Sequence, residues 1–194
     1  MDNALPAAAP AARARPTIGL AMALLVFAAD QLSKWIVAGP LDLHNLGSIA
    51  LLPFFDLTWV ENRGISLGLF VAGSAAARWA LVAVTGVIAI AVAYWMTREP
   101  RRGDQIALGA VLGGALGNIL DRARFGYVVD FADLHVRWIP ERLCPSYSDG
   151  LCRPFLIFNV ADAAISLGVL ALILRAFLTK DDSKVPAHAS QGEI

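Results

Sequence analysis

The stretch GGALGNILDRARFGYVVDF, Gly113 to Phe131, carries a small-residue apolar run into a polar, charged edge. Gly109, Gly113 and Gly117 recur every four residues, which gives a helix a smooth face on which a neighbouring backbone can close. Asn118 and Arg122 share the same spacing and Asp121 adjoins Arg122, so one side of this helix end gathers an amide, a carboxylate and a guanidinium. Asp130 follows Val128 and Val129. A second stretch, FNVADAAIS from Phe158, runs in reverse: Asn159 and Asp162 share a helix face at a polar edge, and an apolar run follows. Each Asp therefore lies where apolar sequence meets polar sequence, and the two are expected to meet at one boundary.

That boundary reads as a membrane surface. Of the 194 residues, 57% are hydrophobic and only 16% are charged, against roughly 25% charged in a soluble domain. Four runs approach the about 20 residues that a membrane helix needs: about 17–38, 78–96, 105–120 and 158–178. The expectation is an all-α integral membrane protein, one domain over residues 17–178, between tails 1–16 and 179–194 that read as disordered. The first run has the basic start and small-residue site of a cleaved signal peptide, but the apolar pattern resumes after Asp30, which suits a span. Residues 39–77 mix Gly, Pro, aromatics and alternation, as short strands at the membrane surface do.

Charge sets the expected orientation. Arg98, Arg101 and Arg102 in the 97–104 loop, with Arg13, Arg15, Lys180 and Lys184 in the tails, place that loop and both termini in the cytoplasm. Segments 39–77 and 121–157 then lie outside. The formal net charge is zero, so nucleic acid is not an expected partner.

Several polar residues stand out against this background. Asp30 and Lys34 are four apart near the outer end of the first span, where they can pair. They read either as a structural ion pair or as a direct substrate contact, and Lys34 can also reach lipid headgroups. Arg122 can pair with either acid or hold a lipid phosphate in a bidentate way. In ENRGISLGLF, Gly64 and Gly68 favour a turn, and Asn62 either binds a peptide backbone or holds its own loop. Cys144 and Cys152 flank a short loop in a segment expected to be outside, which points to a disulfide. With His135 the only His nearby, no zinc pattern is present, and neither a metal nor a cofactor is expected. Asp130 and Asp162, brought close in a partly dry site, would share a proton, one acting as base on a water and the other as acid. The same acids could instead relay protons in a small proton-coupled transporter.

DQLSKW from Asp30, ENRGISLGLF from Glu61, GGALGNILDR with GYVVDF, and FNVADAAIS resemble, in order, the motif blocks of the bacterial lipoprotein signal peptidases (signal peptidase II). The resemblance covers about residues 17–178. It implies an aspartic endopeptidase of the bacterial inner membrane, acting near the periplasmic face. Such an enzyme removes signal peptides from diacylglyceryl-modified prolipoproteins just before the lipidated Cys. It implies that Asp130 and Asp162 are catalytic, and that Asn62, Asn118, Arg122, Asn159, Asp30 and Lys34 occupy substrate-site or other motif positions. Asp121 is expected to hold Arg122 and the helix end. The family's outer segments imply a small β-rich cradle on the membrane surface. One chain supplies both acids, so a monomer in contact with membrane lipids suffices. Two departures are visible: NRGIS differs from the N-x-G-A-A form, and the stretch from Asp130 to Asp162, with its two cysteines, is longer than usual.

Overall fold

A computed structural model describes residues 15–64, 74–136, 138–148 and 150–181. Most of both tails and Gly68 lie outside these residues. Helix α1 (Thr17–Ala38) leads through a short α2 (Leu43–Leu46) into strands β1 (Ser48–Leu52) and β2 (Phe55–Asn62). Helices α3 (Ala75–Arg98) and α4 (Arg102–Phe125) follow, then β3 (Val128–Leu134). A 3-10 turn (Glu141–Leu143) and a hairpin of β4 (Tyr147–Ser148) and β5 (Leu151–Cys152) precede α5 (Val160–Asp181). The four long helices, α1, α3, α4 and α5, are each long and apolar enough to cross a membrane.

The helices run past the apolar windows that announced them. The second starts at Ala75 rather than 78 because the Ser74 hydroxyl accepts the Ala77 amide at 3.2 Å and caps it. The third reaches Phe125 rather than 120, so Asp121 and Arg122 lie inside α4, which ends on Gly126 in the left-handed region (φ 87°). The fourth begins at Val160, just after 158.

Helix α4 is the centre of the bundle and packs on α1, α3 and α5. Its glycines allow this. A Cβ on Gly109 would run into the Gly19 carbonyl and one on Gly113 into that of Ala23, so the α1 and α4 backbones touch where a side chain would separate them. At the end away from the cradle, Arg175 of α5 pairs with Asp104 of α4 at 2.9 Å.

The three-stranded antiparallel sheet has the order β1-β2-β3. Two strands arise from the 39–77 stretch as expected; the third, β3, comes from VVDFADL. Alternation along β3 directs Val129 and Phe131 into a cluster with Val37, Leu43 and Leu57. Asp130 then faces the other way, opposite Val60 in β2. Phe158, just before α5, is tied to β3: its carbonyl accepts the Phe131 amide at 3.1 Å and the Ala132 amide at 2.8 Å. This pairing carries Asn159 to the side of Asp130.

Candidate active site

The start of α5 is built by a reciprocal cap. The Asn159 side-chain Oδ1 accepts the Asp162 backbone amide at 2.9 Å, and the Asp162 carboxylate accepts the Asn159 backbone amide at 3.3 Å. This leaves the Asn159 NH2 free to point outward. It donates to Asp130 Oδ1 at 2.6 Å, to the Val129 carbonyl at 3.3 Å and to Asn118 Oδ1 at 3.3 Å. Asn118, from the middle of the polar end of α4, donates to Asp162 Oδ1 at 2.8 Å. Asn62, at the end of β2, donates to Asp130 Oδ2 at 3.0 Å, while its own oxygen accepts the Gly64 amide at 2.9 Å in a turn where Gly64 has φ 85°. The two carboxylates, 32 residues apart in the chain, are therefore joined through Asn159, which bonds both, and through Asn118, which links Asn159 to Asp162.

Asp130 and Asn159 are each 1% exposed. Burial, and secondly the negative charge of Asp162, push the Asp130 carboxyl up from 3.8 to about 6, with Asn62, Asn159 and Lys34 pulling the other way. A cleft of about 390 Å³ opens on Asp130 between Glu61, Asn62 and Arg63 on one side and Ser146, Arg153 and Phe155 on the other. Two carboxylates so placed can hold one proton between them, activate a water and protonate a carbonyl oxygen.

Beneath this pair lies a buried charge network. Lys34 Nζ sits 2.8 Å from Asp30 Oδ2, 2.7 Å from Asp121 Oδ2 and 3.2 Å from Asn118 Oδ1. An ammonium has only donors, so it fixes the Asn118 oxygen towards itself and thereby turns the Asn118 NH2 towards Asp162. Asp30 Oδ1 accepts the Ala161 amide at 3.0 Å, which places a carboxylate of α1 on an unsatisfied donor at the start of α5.

The geometry gives these polar residues particular partners. Asp30 and Lys34 are 0% and 5% exposed and pair with each other at 2.8 Å, the geometry of the structural ion pair that their spacing allows. The Asp121 carboxylate takes Lys34, Gln31 Nε2 at 3.2 Å and the Val129 amide at 3.3 Å, because the cation and the start of β3 lie on its side of α4. Arg122 follows Asn118 by one turn, and among the described residues no acid lies within ion-pair distance of it. Its Nε is buried without a hydrogen-bond partner.

Cys144 and Cys152 are bonded, and Cys152 pairs through its backbone with Val136 beyond β3, so the hairpin is fastened to the sheet that carries Asp130. Sequence reasoning missed Gln31, which sits beside Asp30 in DQLSKW and bonds both network acids at 3.1 and 3.2 Å. It also missed Asp133, held by Arg153 Nε at 3.1 Å and by Thr58 at 3.2 Å. Asp56, Asp133 and His135 place ligand atoms within 4.8 Å of one another. Arg153 and Thr58 already occupy Asp133, so this group fits an ion-pair knot better than a metal centre.

Comparison with known proteins agrees with this architecture. The family model described as Signal peptidase (SPase) II matches residues 22–178. The chain is 57% identical to the lipoprotein signal peptidase of Sphingopyxis alaskensis over 82% of this chain and 85% of that one. It is 50% identical to the lipoprotein signal peptidase of Rhizorhabdus wittichii, over 88% of this chain and 91% of the relative. A solved structure described as a bacterial membrane enzyme shares 28% identity and superposes with a TM-score of 0.65, covering 90% of this chain and 95% of its own. With its four long helices, small sheet and paired acids at their junction, the chain belongs to the signal peptidase II family.

Proposed function

We propose that this protein is an aspartic endopeptidase that removes the signal peptide from diacylglyceryl-modified prolipoproteins, with Asp130 and Asp162 as its catalytic pair. The observation that carries the reading is the joining of the two carboxylates through Asn118 and Asn159 at the helix ends, beside an open cleft. The family membership supports hydrolysis over proton-coupled transport.

In this mechanism Asp162 takes a proton from a water in the cleft as the water oxygen attacks the scissile carbonyl carbon. Asp130, which holds a proton up to about pH 6, donates to the carbonyl oxygen. The tetrahedral diol then collapses: the C–N bond breaks, the amine takes the proton from Asp162, and Asp130 recovers its proton from the diol hydroxyl. Asn62 and Asn159 hold Asp130, Asn118 holds Asp162, and Arg122, whose Nε has no hydrogen-bond partner, is assigned to the substrate backbone or the head of its lipid. No step needs a metal or a cofactor. The lipid on the substrate Cys fixes the cut at interface depth, which matches a pair placed where the spans end. The positive loop 97–104 supports cytoplasmic termini and a site at the periplasmic face of the inner membrane.

The reading is tested with purified protein in detergent and a precursor with or without its diacylglyceryl group. It predicts a single cut before the Cys in the lipidated precursor alone. Equal cleavage of both forms, or of neither by folded protein, would remove it.

A further inference from the structure

Away from Asp130 and Asp162, two cavities follow one another along α1 and α4 as a groove in two parts that the proposed chemistry does not use. Its lower part is a cavity of about 510 Å³ walled by Leu20, Leu24 and Phe27 of α1 and Leu112, Leu116 and Leu120 of α4. Its upper part is a cavity of about 220 Å³ lined by Lys34, Trp35, Trp59, Arg124, Phe125 and Tyr127. The two lie on one track: Leu112, Leu116, Leu120 and Arg124 are spaced by four along one ridge of α4, and Leu24, Phe27, Gln31 and Trp35 follow at helical spacing on α1. The groove thus changes along its length from wholly apolar to aromatic and cationic.

We propose that this groove is a binding site for a membrane glycerophospholipid, with its phosphate on Arg124 and an acyl chain along the leucine row. Leu112 lies near the middle of α4, and Arg124 is twelve residues further on. That is about 18 Å along the helix at about 1.5 Å per residue, a little beyond half of the about 30 Å hydrocarbon core. A chain that starts at midplane therefore meets the guanidinium at headgroup depth. Arg124 is exposed and rests on the Phe125 ring with its Cζ 5.0 Å from the centroid. Among the described residues, no carboxylate lies within ion-pair distance of it. Lys34 and Asp121 at the floor satisfy each other, so Arg124 is the cation left to meet a phosphate, which it fits in a bidentate way. The buried Trp59 Nε1, which has no hydrogen-bond partner, lines the same cavity as a further donor.

The occupant is not the lipid of a prolipoprotein. A diacylglyceryl thioether has no phosphate, and the row ending at Leu120 lies roughly 200° around α4 from Asn118. The inference therefore stands or falls separately from the peptidase reading.

The test is native mass spectrometry of the full-length protein in detergent, titrated with dioleoylphosphatidylglycerol. One lipid is expected per chain. Dioleoylglycerol, with the same tails and no phosphate, and glycerol phosphate, with the head and no tails, should each bind at least tenfold more weakly. Arg124→Gln should weaken phosphatidylglycerol binding about tenfold, and Leu116→Trp, which fills the apolar part, should do the same. If the Trp variant does not fold, Arg124→Gln and the two control ligands decide the matter. Unchanged affinity in Arg124→Gln, equal binding of dioleoylglycerol, or a chain dimer in place of the lipid adduct would overturn the proposal.

Discussion

Replacing Lys34 with Met tests the network under the site. The Met side chain keeps most of the apolar stem and removes the charge. Three contacts go at once: Asp30 at 2.8 Å, Asp121 at 2.7 Å and Asn118 at 3.2 Å. Asp30 and Asp121, 0% and 1% exposed, are left as neighbouring carboxylates with only the Gln31 amide between them. Removing one partner of a buried ion pair costs about 3–5 kcal/mol. For a chain of this size each kcal/mol moves the melting point by about 2–4 °C, so a drop of roughly 6–20 °C is expected. The assay is thermal unfolding in detergent followed by the fluorescence of the five tryptophans. Adding Asp121→Asn to Lys34→Met should recover a substantial part of the loss, because one of the two stranded charges is gone, and the cycle of four proteins isolates that coupling. A Lys34→Met protein that melts within about 2 °C of wild type would refute the reasoning, since a buried triad cannot lose its cation without effect.

Other outcomes follow from the same geometry. Gly113→Val drives a side chain into the Ala23 carbonyl and should cost about 1–3 kcal/mol or prevent assembly, whereas Gly86→Val, where open space surrounds the added carbon, should melt like wild type. If Asp130 must carry a proton to act as acid, kcat/KM should fall as pH rises above about 6. A raised pKa also means that the native state binds this proton more tightly than the unfolded chain. The associated stability is full below 3.8 and is lost as pH rises through about 6, a total of roughly 3 kcal/mol. A melting profile that is flat between pH 4 and pH 7 and unchanged by Asp130→Asn would contradict this. Replacing Cys144 and Cys152 together by Ser opens the hairpin fastened to Val136. It should lower stability by about 2–3 kcal/mol and expose the 138–157 segment to limited proteolysis, with an unchanged digestion pattern as the contrary result.

Much of the architecture was legible because a lipid environment leaves few options: long apolar runs must be helices, and the glycine spacing of α4 announces a close neighbour. The gathering of Asn118, Asp130, Asn159 and Asp162 was legible because each lies at a sharp change from apolar to polar sequence. What stayed hidden depends on contacts between distant segments. A short apolar run such as Val128–Val129 reads equally as strand or helix, and only pairing with β2 and with Phe158 makes it β3. Asp121 and Arg122 fell just past the expected span because their polarity ends the apolar window, yet Lys34 neutralises Asp121 from another helix and α4 continues through them. The bond from Asp30 to Ala161 spans 131 residues and leaves no local sign. For the same reason the Arg153–Asp133 pair could not be read from either residue alone.

The most direct test of the central claim is the rate at which the purified protein cuts a diacylglyceryl-modified precursor when Asp130 or Asp162 is changed to Asn. Asn keeps the size of Asp but can neither take a proton from water nor donate one as an acid. Each variant should keep the wild-type elution profile and lose cleavage by at least about a hundredfold, within the range for a general acid or base. Cleavage near the wild-type rate by either folded variant would contradict the account.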